Sequence, residues 1–173
     1  MAGDVTRWNA RRALLEGAWR YEYKRHEDIE AVVLGYGSIG HVHCEALREL
    51  GAKVVAVVDP VIEPRFETGH LRDWRPALEE LAGGRVVVIA SPSRFHSAQA
   101  KVAAECGAKG ILVEKPPALT ADEWQGTIRT LERYPSRVVV GFNWRFHAAI
   151  GYLLSHQAKA DNFDFMSIDD VVA

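Results

Sequence analysis

Short apolar runs alternate with segments of helical periodicity along most of the chain. Five runs have the length of a strand and are apolar at consecutive positions, which is typical of strands buried on both faces. These predicted strands cover residues 31–34, 54–58, 86–90, 111–113 and 138–140. Because helices separate such strands and right-handed crossovers place helices on both faces, the pattern predicts an α/β fold with a doubly wound parallel sheet.

The segments between the predicted strands carry apolar residues three or four positions apart, as helices do. In the first predicted helix one face is formed by Ile39, His43, Leu47 and Leu50. The helix before the fifth strand opens with Thr120-Ala121-Asp122-Glu123, which has the spacing of a capping box. The stretch of residues 60–69 is interpreted as a polar connection.

Composition narrows the classes of function. Hydrophobic residues make up 48% of the 173 residues and charged residues 25%, so a folded core is expected. A formal net charge of -2 predicts neither nucleic-acid binding nor attraction to an anionic membrane. The longest apolar runs are strand-sized, and Cys44 and Cys106 form no metal-ligand or disulfide pattern but are expected as buried small hydrophobes. Without a targeting signal, these features favour a cytoplasmic protein that binds no metal.

The first predicted strand runs directly into Gly35-Tyr36-Gly37-Ser38-Ile39-Gly40, where a helix is predicted to begin. In a dinucleotide-binding loop of this form the first glycine permits a tight turn. The second lets the backbone approach a diphosphate, and the third allows close packing of helix on strand. The helix start then offers unpaired N–H groups and a partial positive charge to the phosphates. The motif therefore predicts a Rossmann fold that binds a nicotinamide dinucleotide.

Asp59 follows the second predicted strand, 24 residues after the first glycine, where a ribose-binding acid is expected. Its carboxylate would accept hydrogen bonds from the adenosine ribose and repel a 2′-phosphate, which favours NAD over NADP. Arg65 lies close enough in sequence to offset that repulsion, so NADP stays possible.

Three further strand ends carry distinctive motifs. They are Ser91-Pro92-Ser93-Arg94-Phe95-His96, then Glu114-Lys115-Pro116-Pro117, then Gly141-Phe142-Asn143-Trp144-Arg145-Phe146-His147. Together with the glycine loop, and in this order, these motifs resemble the Gfo/Idh/MocA family of oxidoreductases. The resemblance covers residues 31–147, which correspond to the whole nucleotide-binding domain of that family.

The resemblance implies a cofactor role for residues at each strand end. Besides the glycine loop and Asp59, they are Ser91, Pro92, His96, Glu114, Lys115, Asn143 and Arg145. Lys115 would reach toward the substrate, and Pro116 would hold its turn through a cis bond. For His96 the alternative is packing at a helix start. His41 and His43, which follow the loop, are expected on the helix surface or at the core edge.

The implied chemistry needs a proton acceptor. Oxidation of a secondary alcohol passes a hydride to nicotinamide and a proton to a nearby base. A partly desolvated lysine beside the positively charged ring has its ammonium form disfavoured, so Lys115 would accept that proton, or donate it in the reverse reaction. The structural alternative is a surface ion pair between Lys115 and Glu114.

The chain is predicted to comprise an N-terminal helical extension (1–28), an NAD(P)-binding domain (29–147) and a short C-terminal helix and tail (148–173). Trp8 and Trp19 lie near helical spacing on an apolar stripe of the extension. This stripe predicts packing on the domain or on a neighbouring subunit, and hence a homo-oligomer in which a partner chain can complete the active site.

Members of the family continue into a substrate domain, for which only residues 148–173 remain here. Three explanations stay open: a fragment of a longer oxidoreductase, a short enzyme completed by oligomerisation, and a module without catalysis. The predicted function is an NAD(P)-dependent oxidoreductase that acts on a sugar, cyclitol or related polyol. The alternative is a non-catalytic NAD-binding subunit or regulatory module.

Overall fold

Six parallel strands form one sheet in the computed structural model, which describes residues 26–142. The strands are β1 (Glu30–Leu34), β2 (Lys53–Val58), β3 (Gly69–Leu71), β4 (Val86–Ile89), β5 (Gly110–Val113) and β6 (Arg137–Val140). Their order across the sheet is β3-β2-β1-β4-β5-β6. The chain therefore builds the sheet outward from β1 on one side and then, from β4 onward, on the other. This is the strand order of the doubly wound dinucleotide fold, so the predicted fold class is confirmed.

Helices cover both faces of this sheet. They are α1 (Ser38–Glu49), α2 (Trp74–Leu81), α3 (His96–Glu105) and α4 (Ala121–Leu131), with a 3-10 turn at Ser93–Phe95. Val32 and Leu34 belong to the buried cluster that includes residues of α2, α3 and α4, whereas Val33 belongs to the cluster that includes Cys44 of α1. Successive residues of β1 therefore face opposite layers, as strand geometry requires.

The helix predicted from the capping box begins as expected. The backbone N–H of Glu123 donates to the Thr120 hydroxyl at 3.2 Å. The Glu123 carboxylate in turn accepts from the backbone N–H of Leu119 at 3.0 Å, one residue earlier than in the usual reciprocal box. The first contact satisfies an N–H group that the helix start leaves without an intrahelical partner, and the second ties the residue before the N-cap to the first turn.

Strand β3 begins at the last residue of the segment interpreted as a polar connection and was not predicted. Gly69, His70 and Leu71 pair in parallel with Ala56, Val57 and Val58 of β2. The strand is short, lies at the sheet edge and is at most half-buried, so it lacks the consecutive apolar residues by which the other strands were recognised.

The inward face of α1 also differs from the predicted one. Ile39 is 38% exposed, whereas Gly40 and Cys44 are buried. The face is rotated because Gly40 packs against the loop that precedes the helix, which turns Ile39 outward. Burial of Cys44 is confirmed and raises the pKa of its thiol to about 11, while Cys106 after α3 is only half-buried.

The extension (1–28) and the C-terminal segment (148–173) predicted from sequence lie almost wholly outside the described residues, as do Trp8, Trp19, Asn143 and Arg145. Of the predicted domain 29–147, the structure describes residues 29–142. Within the described part of the chain, no helix has the length and apolar character needed to cross a membrane.

Candidate active site

Five strands end level with one another, which brings the predicted motifs into one row. Register pairs join Leu34 to Val58 and Ile89, and Val113 to Ile89 and Val140. The residues that follow the strands are, across the sheet, Asp59, Gly35, Ala90, Glu114 and Gly141. Their backbone N–H groups donate to the neighbouring strand or its end, so the ladder continues through the row. Ligands of doubly wound sheets bind along this edge.

The three glycines of the loop have the geometry expected of each. Gly35 has φ of +88°, and a Cβ there would lie 2.7 Å from the Ala90 carbonyl oxygen. At Gly40 an added Cβ would collide with the carbonyl oxygen of Gly35, so helix and strand approach closely there. Over Gly37 no heavy atom of the described part of the chain lies within 4 Å of an ideal Cβ, which leaves open space there at the start of α1.

The start of α1 is free to bind an anion. Gly37 is the N-cap residue and offers no side chain, and the first turn carries no acidic residue. Ser38 and Ile39 are exposed beside the open space. Because the first N–H groups of a helix lack intrahelical partners and carry partial positive charge, this end suits a diphosphate.

Asp59 is only 9% exposed, and the phosphate loop itself holds its carboxylate in the row. The backbone N–H of Tyr36 donates to Oδ2 at 2.8 Å, while those of Val61 and Ile62 donate to Oδ1 at 2.9 and 2.8 Å. A carboxylate has about four acceptor positions, so about one remains for a ligand hydroxyl. Burial alone would raise the pKa of Asp59, but these N–H groups hold it below its ordinary value.

The loop residue Tyr36 serves the fold with its side chain. Tyr36 is 4% exposed and packs in the cluster below α1, where its ring meets the His41 ring edge-on at 5.4 Å. The Tyr36 hydroxyl lies 3.0 Å from Nδ1 of His41. Since the Tyr36 N–H is bound to Asp59, its contribution to the site is to join the loop to the acid.

Beyond β4, the predicted motif is built around a buried histidine. His96 is 1% exposed; its Nε2 lies 2.7 Å from the Ser91 carbonyl oxygen and its Nδ1 lies 2.8 Å from that of Pro116. Both ring nitrogens are thus occupied by backbone, which favours the alternative of packing at a helix start. The Ser91 hydroxyl donates to the side chain of Gln99 at 2.6 Å, and Pro92 is exposed.

Beyond β5, Glu114 and Lys115 have opposite surroundings. Glu114 is 4% exposed, and its Oε1 lies 2.8 Å from Nε2 of His43 on α1. Its Oε2 accepts from the backbone N–H of Lys115 at 3.2 Å. Lys115 is exposed, and the Lys115–Pro116 bond is cis, as the resemblance implied. The surface ion pair between Glu114 and Lys115 is absent from the described contacts, because the carboxylate is directed inward to His43.

These residues fit a dinucleotide better than a metal ion. Asp59 and Glu114 lie three strand spacings apart, or about 14 Å, with the open space at Gly37 between them. Among residues 26–142 no group of three histidine, cysteine or acidic side chains is placed to hold a metal ion.

The family model described as an oxidoreductase family with an NAD-binding Rossmann fold matches residues 29–142.

The chain belongs to the Gfo/Idh/MocA family.

Named members of the Gfo/Idh/MocA family show how much of a relative this chain matches. The rhizopine catabolism protein MocA of Rhizobium meliloti is 32% identical over 120 residues, which cover 65% of this chain and 37% of that protein. The scyllo-inositol dehydrogenase of Lactobacillus casei, with bound NAD(H) and scyllo-inositol, has a TM-score of 0.68 at 22% identity, over 77% of this chain and 42% of that one. The WlbA (WbpB) dehydrogenase of Thermus thermophilus, in complex with NAD and alpha-ketoglutarate, has a TM-score of 0.69 at 25% identity, over 78% and 48%. The chain therefore spans less than half the length of these relatives.

Two contacts of this Gfo/Idh/MocA site were missed from sequence. His43 was expected at the core edge, where it lies, but its bond to Glu114 was not foreseen. Gly141 was known only as part of a motif; in the structure an added Cβ there would lie 2.9 Å from Oε1 of Glu114. A histidine three residues after the third glycine and a glycine at the neighbouring strand end are the signals that were available.

Proposed function

We propose that this chain binds NAD along the carboxyl edge of its sheet and supplies the cofactor half of an oxidoreductase acting on a sugar, cyclitol or related polyol. The observation that carries the proposal is that the open space over Gly37 and the exposed Lys115 lie along the same row of strand ends. An extended dinucleotide with its diphosphate at Gly37 would place one half at Asp59 and the other at Lys115.

The environment of Asp59 supports NAD over NADP. One acceptor position of a buried carboxylate suits a ribose hydroxyl, whereas a 2′-phosphate would meet negative charge. Arg72 is directed elsewhere, since it donates to the Pro60 carbonyl oxygen at 2.7 Å and lies 3.6 Å from Glu63. Arg65 is exposed and is the cation nearest in sequence that would favour a phosphate.

Lys115 is the residue we assign to proton transfer. When bound, the nicotinamide ring accepts or gives the hydride. Lys115 Nζ would take the proton of the substrate hydroxyl, or return it in the reverse reaction. Its exposure and its place at the end of β5 leave the amine free to meet a substrate. The substrate class is supported by relatives named for rhizopine catabolism and for scyllo-inositol dehydrogenation.

Cofactor binding is tested by calorimetry of the full chain with NAD and with NADP. Gly37→Val adds a side chain where there is open space, so the fold is kept while the diphosphate is blocked, and NAD affinity should fall at least tenfold, or about 1.4 kcal/mol. Gly126→Ala, within α4, is the matched control and should bind NAD as the wild type does. Equal binding by both variants would contradict the placement of the diphosphate.

Catalysis is tested by turnover on a panel of polyols, with Lys115→Met compared with Lys109→Met. Lys109 is exposed at the opposite end of β5, so its loss should leave turnover unchanged. Loss of activity in Lys115→Met alone supports proton transfer by that lysine. Tight NAD binding with no turnover in the wild type would instead favour the non-catalytic module.

A further inference from the structure

Glu114 is a buried acid with a single side-chain partner among residues 26–142. It is 4% exposed and lies in the row of strand ends, where its carboxylate covers Gly141. An alanine at Gly141 would bring Cβ within 2.9 Å of Oε1 and 3.2 Å of Oε2, so the carboxylate occupies space that only glycine leaves open. A carboxylate this deeply buried requires hydrogen-bonding partners.

Those partners are His43 and the backbone of Lys115. Nε2 of His43 lies 2.8 Å from Oε1, and the Lys115 N–H donates to Oε2 at 3.2 Å. The His43 side chain is 17% exposed and that of Glu114 is 5% exposed, so the contact is largely shielded from water. Short contacts between buried polar groups are stronger than those at the surface.

Lys115, next in the chain, has no ion-pair partner among the described residues. The preceding residue, Glu114, carries the carboxylate nearest to Lys115 along the chain, and the described contacts of that carboxylate are with His43 and the Lys115 backbone, not with the lysine amine. The other titratable group in contact with this segment is His96, which faces the carbonyl oxygens of Ser91 and Pro116 rather than Glu114. Only His43 therefore holds the Glu114 side chain from the helix layer described here.

We propose that His43 is a positioning residue for Lys115: by binding the Glu114 carboxylate it keeps that charge away from the lysine amine and fixes the backbone from which the lysine projects. His43 lies on α1, whose first turn is the proposed diphosphate site, so it also joins the phosphate-binding helix to the lysine. The inference rests on the proposed function for its catalytic meaning, whereas the contact itself can be tested without cofactor or substrate.

The test measures how fast Lys115 is acetylated by acetic anhydride in the full chain, with peptide mass spectrometry and Lys109 as internal reference. Only the unprotonated amine reacts, so an amine that gains a carboxylate partner reacts more slowly. His43→Leu frees the carboxylate, and acetylation of Lys115 at pH about 8 should fall at least threefold relative to Lys109. His43→Gln keeps an N–H donor and should restore most of the wild-type rate.

The double variant His43→Leu, Glu114→Gln separates positioning from a merely structural role. Removal of the carboxylate charge should return Lys115 acetylation toward the wild-type rate, even though the cluster has lost both native side chains. If His43→Leu fails to fold, as judged by circular dichroism, His43→Ala takes its place, because alanine suits a helix.

Three results would overturn the inference: an unchanged Lys115 rate in His43→Leu, equal slowing in His43→Gln, or no recovery in the double variant. None of these measurements involves NAD. Failure to bind NAD together with the expected acetylation pattern would therefore refute the proposed function and support the positioning role of His43. NAD binding without that pattern would support the proposed function and refute the positioning role.

Discussion

Two buried carboxylates lie three strands apart along the same edge of the sheet, and they are held in different ways. Asp59 is bound by three backbone N–H groups, from Tyr36, Val61 and Ile62. Glu114 is bound by one side chain, His43, and one backbone N–H. The partners of Asp59 are therefore main-chain groups, whereas Glu114 depends on a side chain from another element.

Asp59 is held by donors that do not depend on its neighbours' side chains, whereas the contact that holds Glu114 depends on one side chain. Backbone donors are present whatever the side chains are, so no single substitution of a neighbour removes all partners of Asp59. Glu114 can lose its side-chain partner through one substitution at His43, or through a change in the position of α1.

The largest effect is expected from Asp59→Ala. The substitution leaves three N–H groups without their acceptor, of which that of Tyr36 is buried, so the free energy of unfolding should fall by about 2–3 kcal/mol. Denaturant unfolding measures this value, and calorimetry should show weaker NAD binding and a smaller preference over NADP. Asp73→Ala is the matched control: Asp73 caps α2 through one N–H at 3.0 Å, and its loss should cost about 1 kcal/mol without altering NAD affinity.

Lowering the pH should reproduce part of that loss in the free energy of unfolding. The pKa of Asp59 in the folded chain lies below its ordinary value of 3.8, so the ionised group contributes stability above that pH and the contribution disappears as the pH falls through the lower folded value. Unfolding free energies of the wild type and of Asp59→Asn, followed from about pH 7 to about pH 2.5, should differ by a constant amount at the upper end and converge at the lower end. A gap that persists to the lowest pH would mean that the charge of Asp59 is not what the N–H groups stabilise.

At the second carboxylate, Glu114→Gln should have a smaller effect on the free energy of unfolding. The amide keeps the size of the side chain and one acceptor oxygen, so the expected loss is about 1–2 kcal/mol. NAD affinity should change less than threefold, because the proposed adenosine contact, Asp59, lies three strands away. Glu105→Gln, at the exposed end of α3, provides the reference and should lie within about 0.5 kcal/mol of the wild type. Equal losses from the two glutamates would remove the distinction between a buried and a solvated acid.

The surroundings of Asp59 and of Glu114 also differ in how far they could be predicted from the sequence. The loop and Asp59 follow directly from the order strand, three glycines, helix, strand and acid, because each role depends on local backbone geometry. The contact between His43 and Glu114 joins residues 71 positions apart, and nothing local to either residue indicates the other. A histidine inside an amphipathic helix has the same pattern whether it meets water, core or a buried acid.

The same limit explains the errors in the fold. Five strands were recognised by consecutive apolar residues. Four of them are central and covered on both faces, and the fifth, β6, lies at the edge opposite β3 but still carries three consecutive valines, of which Val139 is 48% exposed. The edge strand β3 needs no such residues, and its pairing with β2 is visible only once the sheet is assembled. Likewise, the exposure of Ile39 follows from the close approach of Gly40 to Gly35, which helical periodicity does not encode.

The smallest effect on stability is expected from an alanine beside the Glu114 carboxylate. Gly141→Ala would place Cβ 2.9–3.2 Å from that group, so the carboxylate must shift while His43 restrains it, at a cost of about 1 kcal/mol. Gly126→Ala, in the middle of α4, meets its nearest atom at 3.8 Å and should instead stabilise the chain by about 0.5–1 kcal/mol. Opposite signs for the same substitution would show that the space at Gly141 is reserved for the acid, whereas stabilisation by both would mean that the carboxylate moves freely and that His43 does not hold it.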